Sequence, residues 1–400
     1  MSDFAKNAIV LGLLSAVGPF AIDMYLPALP TIAADLKAST AATQMTLMVF
    51  FVTFGIAQVV YGPLADAVGR KPPLYFGLAV FTLAGIGCAL APTIGLLIAF
   101  RFLQGIGAAV CMVVPRAVIR DLHTGAEAAR LMSLVILVFS VSPILAPLGG
   151  SGLIAAFSWR AVFVAAAIAS LLGLLLVALV LKETRPPEKR IALDLQTIAG
   201  HYGSLLRHRR FLGITFIGGF GMASFFVFLA TSSFIYIDHF GLTPTQYSLA
   251  FSVNAVGFIG ASQFAGWLAQ RFGLERVVGV AVSGYAAMAV AVLGLTLAGV
   301  DGLAVLVVML FLAFACLGLV IPSTMVLALE EHGPIAGIAS ALGGTLQFAA
   351  GAVMIVLASL LFDGTTRPMV LLIAICSVAS LVLTRLTLRR RRRAEPLAAE

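Results

Sequence analysis

Charge is what this 400-residue chain has least of: Asp, Glu, Lys and Arg make up 10% of it, whereas hydrophobic residues make up 61% and mean hydropathy is +1.09. A soluble globular protein carries about 25% charged residues, so that class is excluded. Cysteine is equally sparse. Cys88, Cys111, Cys316 and Cys376 all lie inside apolar runs with no CxxC spacing, which argues against a disulfide framework and a thiolate metal centre. The five histidines (His123, His201, His208, His239 and His332) sit at the ends of apolar runs or between them without ligand spacing, so no metal is expected. A GxxxxGK[ST] phosphate loop is missing, which disfavours nucleotide-driven work. Ser151, in a Gly-rich context, has no histidine at membrane depth to activate it, so enzyme chemistry is not expected.

Apolar sequence is abundant. A crossing takes about 20 residues, and twelve crossings take about 240. Runs bounded by Pro, Gly or charge fall at 7–29, 42–65, 73–92, 94–119, 130–155, 159–182, 211–236, 246–270, 277–299, 303–328, 335–361 and 367–388. The expectation is an all-α integral membrane protein. It divides into an N-terminal six-helix bundle (1–182), a cytoplasmic linker loop (183–210), a C-terminal six-helix bundle (211–388) and an Arg-rich cytoplasmic tail (389–400).

The net charge of +8 is a matter of topology rather than nucleic-acid binding. With the N-terminus inside, 21 of the 25 Lys and Arg fall on the cytoplasmic side, which predicts both termini there. Arg389 to Arg393 could bind anionic lipid or act as a plain topological anchor. The segment Gly62–Arg70 returns in degenerate form at Gly266–Gly273, 204 residues later, and the same offset carries Arg130 to Pro334. Two tandem six-helix units suit a carrier working by alternating access.

These residues resemble the major facilitator superfamily over positions 1 to 390. GPLADAVGRKP (Gly62 to Pro72) is similar to that superfamily's signature between spans two and three, departing from it at Ala67. It is read as a conformational latch: Gly62 for close packing, Gly69 for the turn, and Asp66, Arg70 and Lys71 for helix ends and neighbouring charges. In the second copy Gln270 replaces the Asp, which weakens any matching latch. Arg101-Phe-Leu-Gln-Gly resembles the superfamily's fourth-span motif, and an intramembrane Arg is expected to face a cavity and a partner. Pro143, Pro147, Gly149 and Gly150 resemble the fifth-span motif of drug–proton antiporters and would serve helix packing. The IDMYLPALP stretch (Ile22 to Pro30) resembles the bicyclomycin and chloramphenicol resistance subgroup, Bcr/CflA. That resemblance implies the twelve-helix, pseudo-symmetric fold and proton-driven efflux of amphipathic drugs such as phenicols or bicyclomycin. It implies no cofactor, a bacterial inner-membrane location and a monomer. Export of a physiological metabolite, with drugs as incidental substrates, stays open.

Asp23 is the one carboxylate well inside a span, which makes it the proton-coupling candidate; satisfying backbone groups beside Pro19 and Pro27 is its alternative role. Helical rise sets Asp23 about 9 Å and Arg101 about 10 Å from the outer ends of their spans, so a direct or water-mediated interaction is expected, which makes Arg101 the second proton-coupling candidate: protonation of Asp23 would depend on the conformation that brings Arg101 close. Substrate contacts are sought among Met24, Tyr25, Gln44, Gln58, Phe225, Phe228, Tyr236, Asn254 and Gln347, which offer an apolar lining with a few hydrogen-bonding groups.

Overall fold

Helix starts are written in short polar side chains. Ser39 accepts the Ala42 N–H at 3.1 Å and Thr93 the Leu96 N–H at 3.4 Å, so each hydroxyl satisfies a donor that the first turn leaves over. Proline shapes the interiors, standing inside α-helices at positions 19, 63, 115, 143, 147 and 322. In the computed structural model, which describes residues 3–123, 125–190 and 194–394, no strand occurs among the described residues.

The first unit covers Met1–Asp194 with Leu242–Ser252. It contains α1 (Asp3–Asp23), α2 (Leu29–Asp35), α3 (Thr40–Val68), α4 (Lys71–Leu90), α5 (Ile94–Leu122), α6 (Gly125–Ala156) and α7 (Arg160–Leu179). The second covers Leu195–Gly241 with Val253–Glu400. It contains α8 (Leu195–Arg207), α9 (Arg209–Ser233), most of α10 (Pro244–Gln263), α11 (Ala265–Phe272), α12 (Leu274–Leu297), α13 (Leu303–Leu329), α14 (Ala336–Leu361) and α15 (Arg367–Ala394). Eleven stretches among the described residues are long and apolar enough to cross a membrane; α6, where a further crossing is expected, has a shorter apolar stretch, Ser140–Ala156.

Three expectations need correction. The first span does not end at Leu29 but runs on to Asp35, and it is broken: α1 stops at Asp23, a 3-10 turn spans Leu26–Ala28, and α2 follows. Pro27 has no N–H to give the Asp23 carbonyl, and Pro30 none for Leu26, and two missing bonds within four residues favour the break. The eighth span breaks at Phe264, between α10 and α11. The linker is also not all loop, because α8 lies in it and buries Leu205. The helical backbone of α15 continues through Arg389 to Arg393, whose side chains, with the anionic-lipid expectation placed on them, lie outside the described residues.

Candidate functional site

Three clusters collect the residues singled out above, two in the first unit and one in the second. The first lies at the break in the first span. Asp23 closes α1, is 6% exposed, and accepts a hydrogen bond from Ser142 Oγ of α6 at 3.2 Å. Helix α6 can come this close because Gly150 has no side chain; a Cβ there would strike the backbone carbonyl of Met24. Gly149 meets nothing within 4 Å, so of the expected pair Gly150 alone is required for packing. Ser248 and Ser252, at the start of α10 and grouped with this unit, donate to the carbonyls of Pro147 (2.9 Å) and Ile144 (3.0 Å). The sequence reading had no role for either serine.

Arg101 of α5 has no exposed surface. Its Nη1 donates to Gln104 Oε1 at 2.8 Å, one turn further along the helix. Aromatic rings surround the rest: Cζ lies 4.3 Å from the Phe50 ring centre, 4.6 Å from Tyr25 and 6.0 Å from Phe163. The Tyr25 hydroxyl is tied to Thr46 Oγ1 at 2.6 Å, so Tyr25 offers the guanidinium a ring face rather than an acceptor. No ion pair joins Asp23 and Arg101 among the described residues. The partner expected for Arg101 is instead a set of rings from α3, α7 and the break itself. Gly105 lets α5 press onto α3, because a Cβ there would meet the Phe50 carbonyl. Gln44 and Gln58 are buried on α3, 14 residues and hence about 21 Å apart, too far for one small solute to touch both.

The latch residues assemble as a charged knot. Gly69 takes φ +100°, a left-handed conformation that suits glycine, and turns α3 into α4. Arg70, 3% exposed, donates Nε to Asp121 Oδ2 at 2.7 Å and Nη1 to Asp66 Oδ1 at 2.8 Å. Glu183 receives the backbone N–H groups of Arg70 (2.9 Å) and Lys71 (3.0 Å), one on each carboxylate oxygen. Lys71 therefore joins through its backbone, while its ammonium lies over the Tyr75 ring. Partial burial works to raise the Glu183 pKa, but donations from the N–H groups of Lys71, Arg70, Arg185 and Thr184 outweigh it and hold the carboxyl below its usual range. Burial likewise opposes the charge of Arg70, and Asp121 and Asp66 more than restore it. Gly62 is a correction: it meets nothing within 4 Å and has no close-packing role. The second unit has an ionic cluster outside the Gly266–Gly273 copy, in which Arg210 bonds Glu331 (2.7 Å) and Glu275 (3.1 Å).

In the second unit, α9 ends in a π-helical turn, Phe234–His239, a form that occurs frequently at functional sites. It carries the fully buried Tyr236, whose hydroxyl faces the amide of the buried Asn254. Phe228 packs 6.2 Å from Tyr236 and 5.1 Å from Phe314, while Phe225 stacks on Phe258 at 5.8 Å. Four of the expected contact residues thus come together, joined by Phe258 and Phe314. Gln347 does not join them; it lies against Gly218, with Thr324 beside it, about 10 Å from Phe225 towards the start of α9.

A buried carboxylate at a helix break, a buried Arg and two aromatic clusters within a membrane-spanning helical fold describe a carrier of small solutes. The chain belongs to the Major Facilitator Superfamily, whose family model matches residues 11–355 and 221–400. It is 39% identical to the uncharacterized MFS-type transporter YdgK of Bacillus subtilis (strain 168), with 87% of each chain covered. It is 32% identical, over 94% of each, to a bicyclomycin resistance protein homolog of Haemophilus influenzae. It is 31% identical to the multidrug resistance protein MdtL of Shigella flexneri, over 96% of this chain and 95% of that one. Among solved structures, a D-xylose–proton symporter matches with TM-score 0.72 at 18% identity, covering 96% of this chain and 97% of that one, which shows the shared fold.

Proposed function

We propose that the protein is a proton-coupled antiporter that exports amphipathic solutes, drugs such as phenicols or bicyclomycin among them, across the bacterial inner membrane with both termini in the cytoplasm. The observation that carries this reading is Asp23: a carboxylate 6% exposed, at the break of the first span, with a hydroxyl as its hydrogen-bond partner rather than a cation. A buried carboxylate without a permanent counterion can exchange a proton as its surroundings change, and intramembrane acids of this kind mark proton paths. The likeness to a bicyclomycin resistance protein homolog of H. influenzae and a multidrug resistance protein of S. flexneri supports resistance-type efflux. In the cycle, solute enters from the cytoplasm while Asp23 is ionised. Opening to the other side admits a proton and releases solute, and neutral Asp23 permits return. The proton gradient is the driving force, no cofactor takes part, and a single chain suffices.

The test is proton movement in everted vesicles on adding chloramphenicol, florfenicol, bicyclomycin or a cationic dye, with Asp23→Asn as comparison. Solute-dependent proton release that disappears in the variant supports the proposal; release unchanged in the variant overturns it. Silence with every compound in the parent favours a physiological metabolite as cargo.

A further inference from the structure

Arg101 is anchored at one corner only. A guanidinium has five donors in a flat fork, and the side-on edge formed by Nε–H and one Nη is the edge that takes a carboxylate with two parallel bonds. Here Nη1 is committed to Gln104, and the two donors left without a hydrogen-bond partner are Nε and Nη2, the pair that forms this edge. Leaving such donors buried and unmade is costly, more so for a charged group, and ring faces offset the charge without supplying acceptors. No ion pair or hydrogen bond joins Arg101 to Asp23 among the described residues, and the Tyr25 hydroxyl, whose ring lies against the guanidinium, is bonded to Thr46. Arg116, on the same helix α5, has Met112 Sδ as its hydrogen-bond partner at 3.6 Å, and no carboxylate pairs with it among the described residues. Arg101 and Arg116 thus stand about 22 Å apart along α5, with no acidic partner for either among the described residues.

We infer that the Nε–Nη2 edge of Arg101 is a binding site for the carboxylate of the transported solute, whose apolar body lies against the rings of Tyr25, Phe50 and Phe163. It goes beyond the proposed function: it rests on the chain being a solute carrier and adds a cargo class, apolar organic acids, to which the uncharged phenicols and bicyclomycin do not belong. Gln104 sets the orientation of the fork by holding its third corner. The rings fill the space around the charge and favour a flat or aromatic body. Arg116 gives the same anion a first station on its way along α5.

The probes are 3-phenylpropanoate and 3-phenylpropanamide, nearly equal in shape and different in charge, titrated calorimetrically into the purified full chain. The parent is expected to bind the acid at least tenfold more tightly than the amide. Arg101→Lys keeps the charge and loses the fork, so the ratio should fall towards one. Gln104→Glu supplies a built-in carboxylate and should lower the ratio without removing the buried arginine, which covers the case in which Arg101→Lys fails to fold. A ratio near one in the parent, or a ratio kept in both variants, overturns the inference. Asp23→Asn separates the two proposals. If the ratio survives in it while proton movement continues unchanged, the antiport reading fails and this one stands; if the ratio is lost in Asp23→Asn as well, this one fails.

Discussion

Arg70 grips Asp121 in a bidentate pair, Nε to Oδ2 at 2.7 Å and Nη2 to Oδ1 at 3.2 Å, across 51 residues of sequence. The remaining corner, Nη1, holds Asp66. Lysine carries the same charge but cannot fill three directions from one plane. Arg70→Lys should therefore destabilise the first unit by about 1–3 kcal/mol. The check is a lower melting temperature of the purified chain together with reduced solute flux in vesicles.

Glu183 gives a pH dependence with a defined sign. Its carboxyl is held below its usual value of 4.5, so the folded state prefers the ionised form. The resulting stabilisation is present above the unfolded value and is lost as pH falls through the lower, folded one. Melting temperatures of the parent and Glu183→Gln should differ at neutral pH, and the gap should close in acid. A gap that stays constant down to pH 3 contradicts this account.

Two neighbouring glycines should behave oppositely. Gly150→Ala drives a methyl group into the Met24 backbone and should cost about 1–3 kcal/mol, with loss of transport. Gly149→Ala adds a methyl group where nothing lies within 4 Å, and should leave melting temperature and flux close to the parent.

Pro27→Ala returns an N–H within reach of the Asp23 carbonyl and favours a continuous first span. Flux should fall while the chain folds as well as the parent or better. Unchanged flux would show that the break does not matter to transport.

The sequence was informative where a local cause acts. Pro27 and Pro30 spell out the break at Asp23, and Gly69 spells out the turn beside Arg70, although the reading of the chain as simple apolar runs passed over the first of these. Asp121 and Glu183 were missed as members of the latch because nothing near either residue marks it; topology alone carries them 51 and 113 residues back to Arg70. The same holds for Phe50 and Phe163 around Arg101. An arginine within a span signals that it needs company, and the expectation of a carboxylate followed from charge, whereas ring faces are a compensation that spacing does not announce. Ser142, next to Pro143, was the overlooked neighbour of Asp23.

The bond between Glu183 and the start of α4 also sets an order of events during synthesis. The N–H groups of Arg70 and Lys71 wait for a carboxylate more than a hundred residues downstream. At 5–20 residues per second, about 6–23 s pass between the emergence of the two partners. Through that interval the nascent third span enters the bilayer with its amino end unsealed, and the residues that follow the sixth span close it. A ribosome stalled before residue 183 would thus hold an unfinished bundle whose exposed helix start is open to a chaperone or a protease.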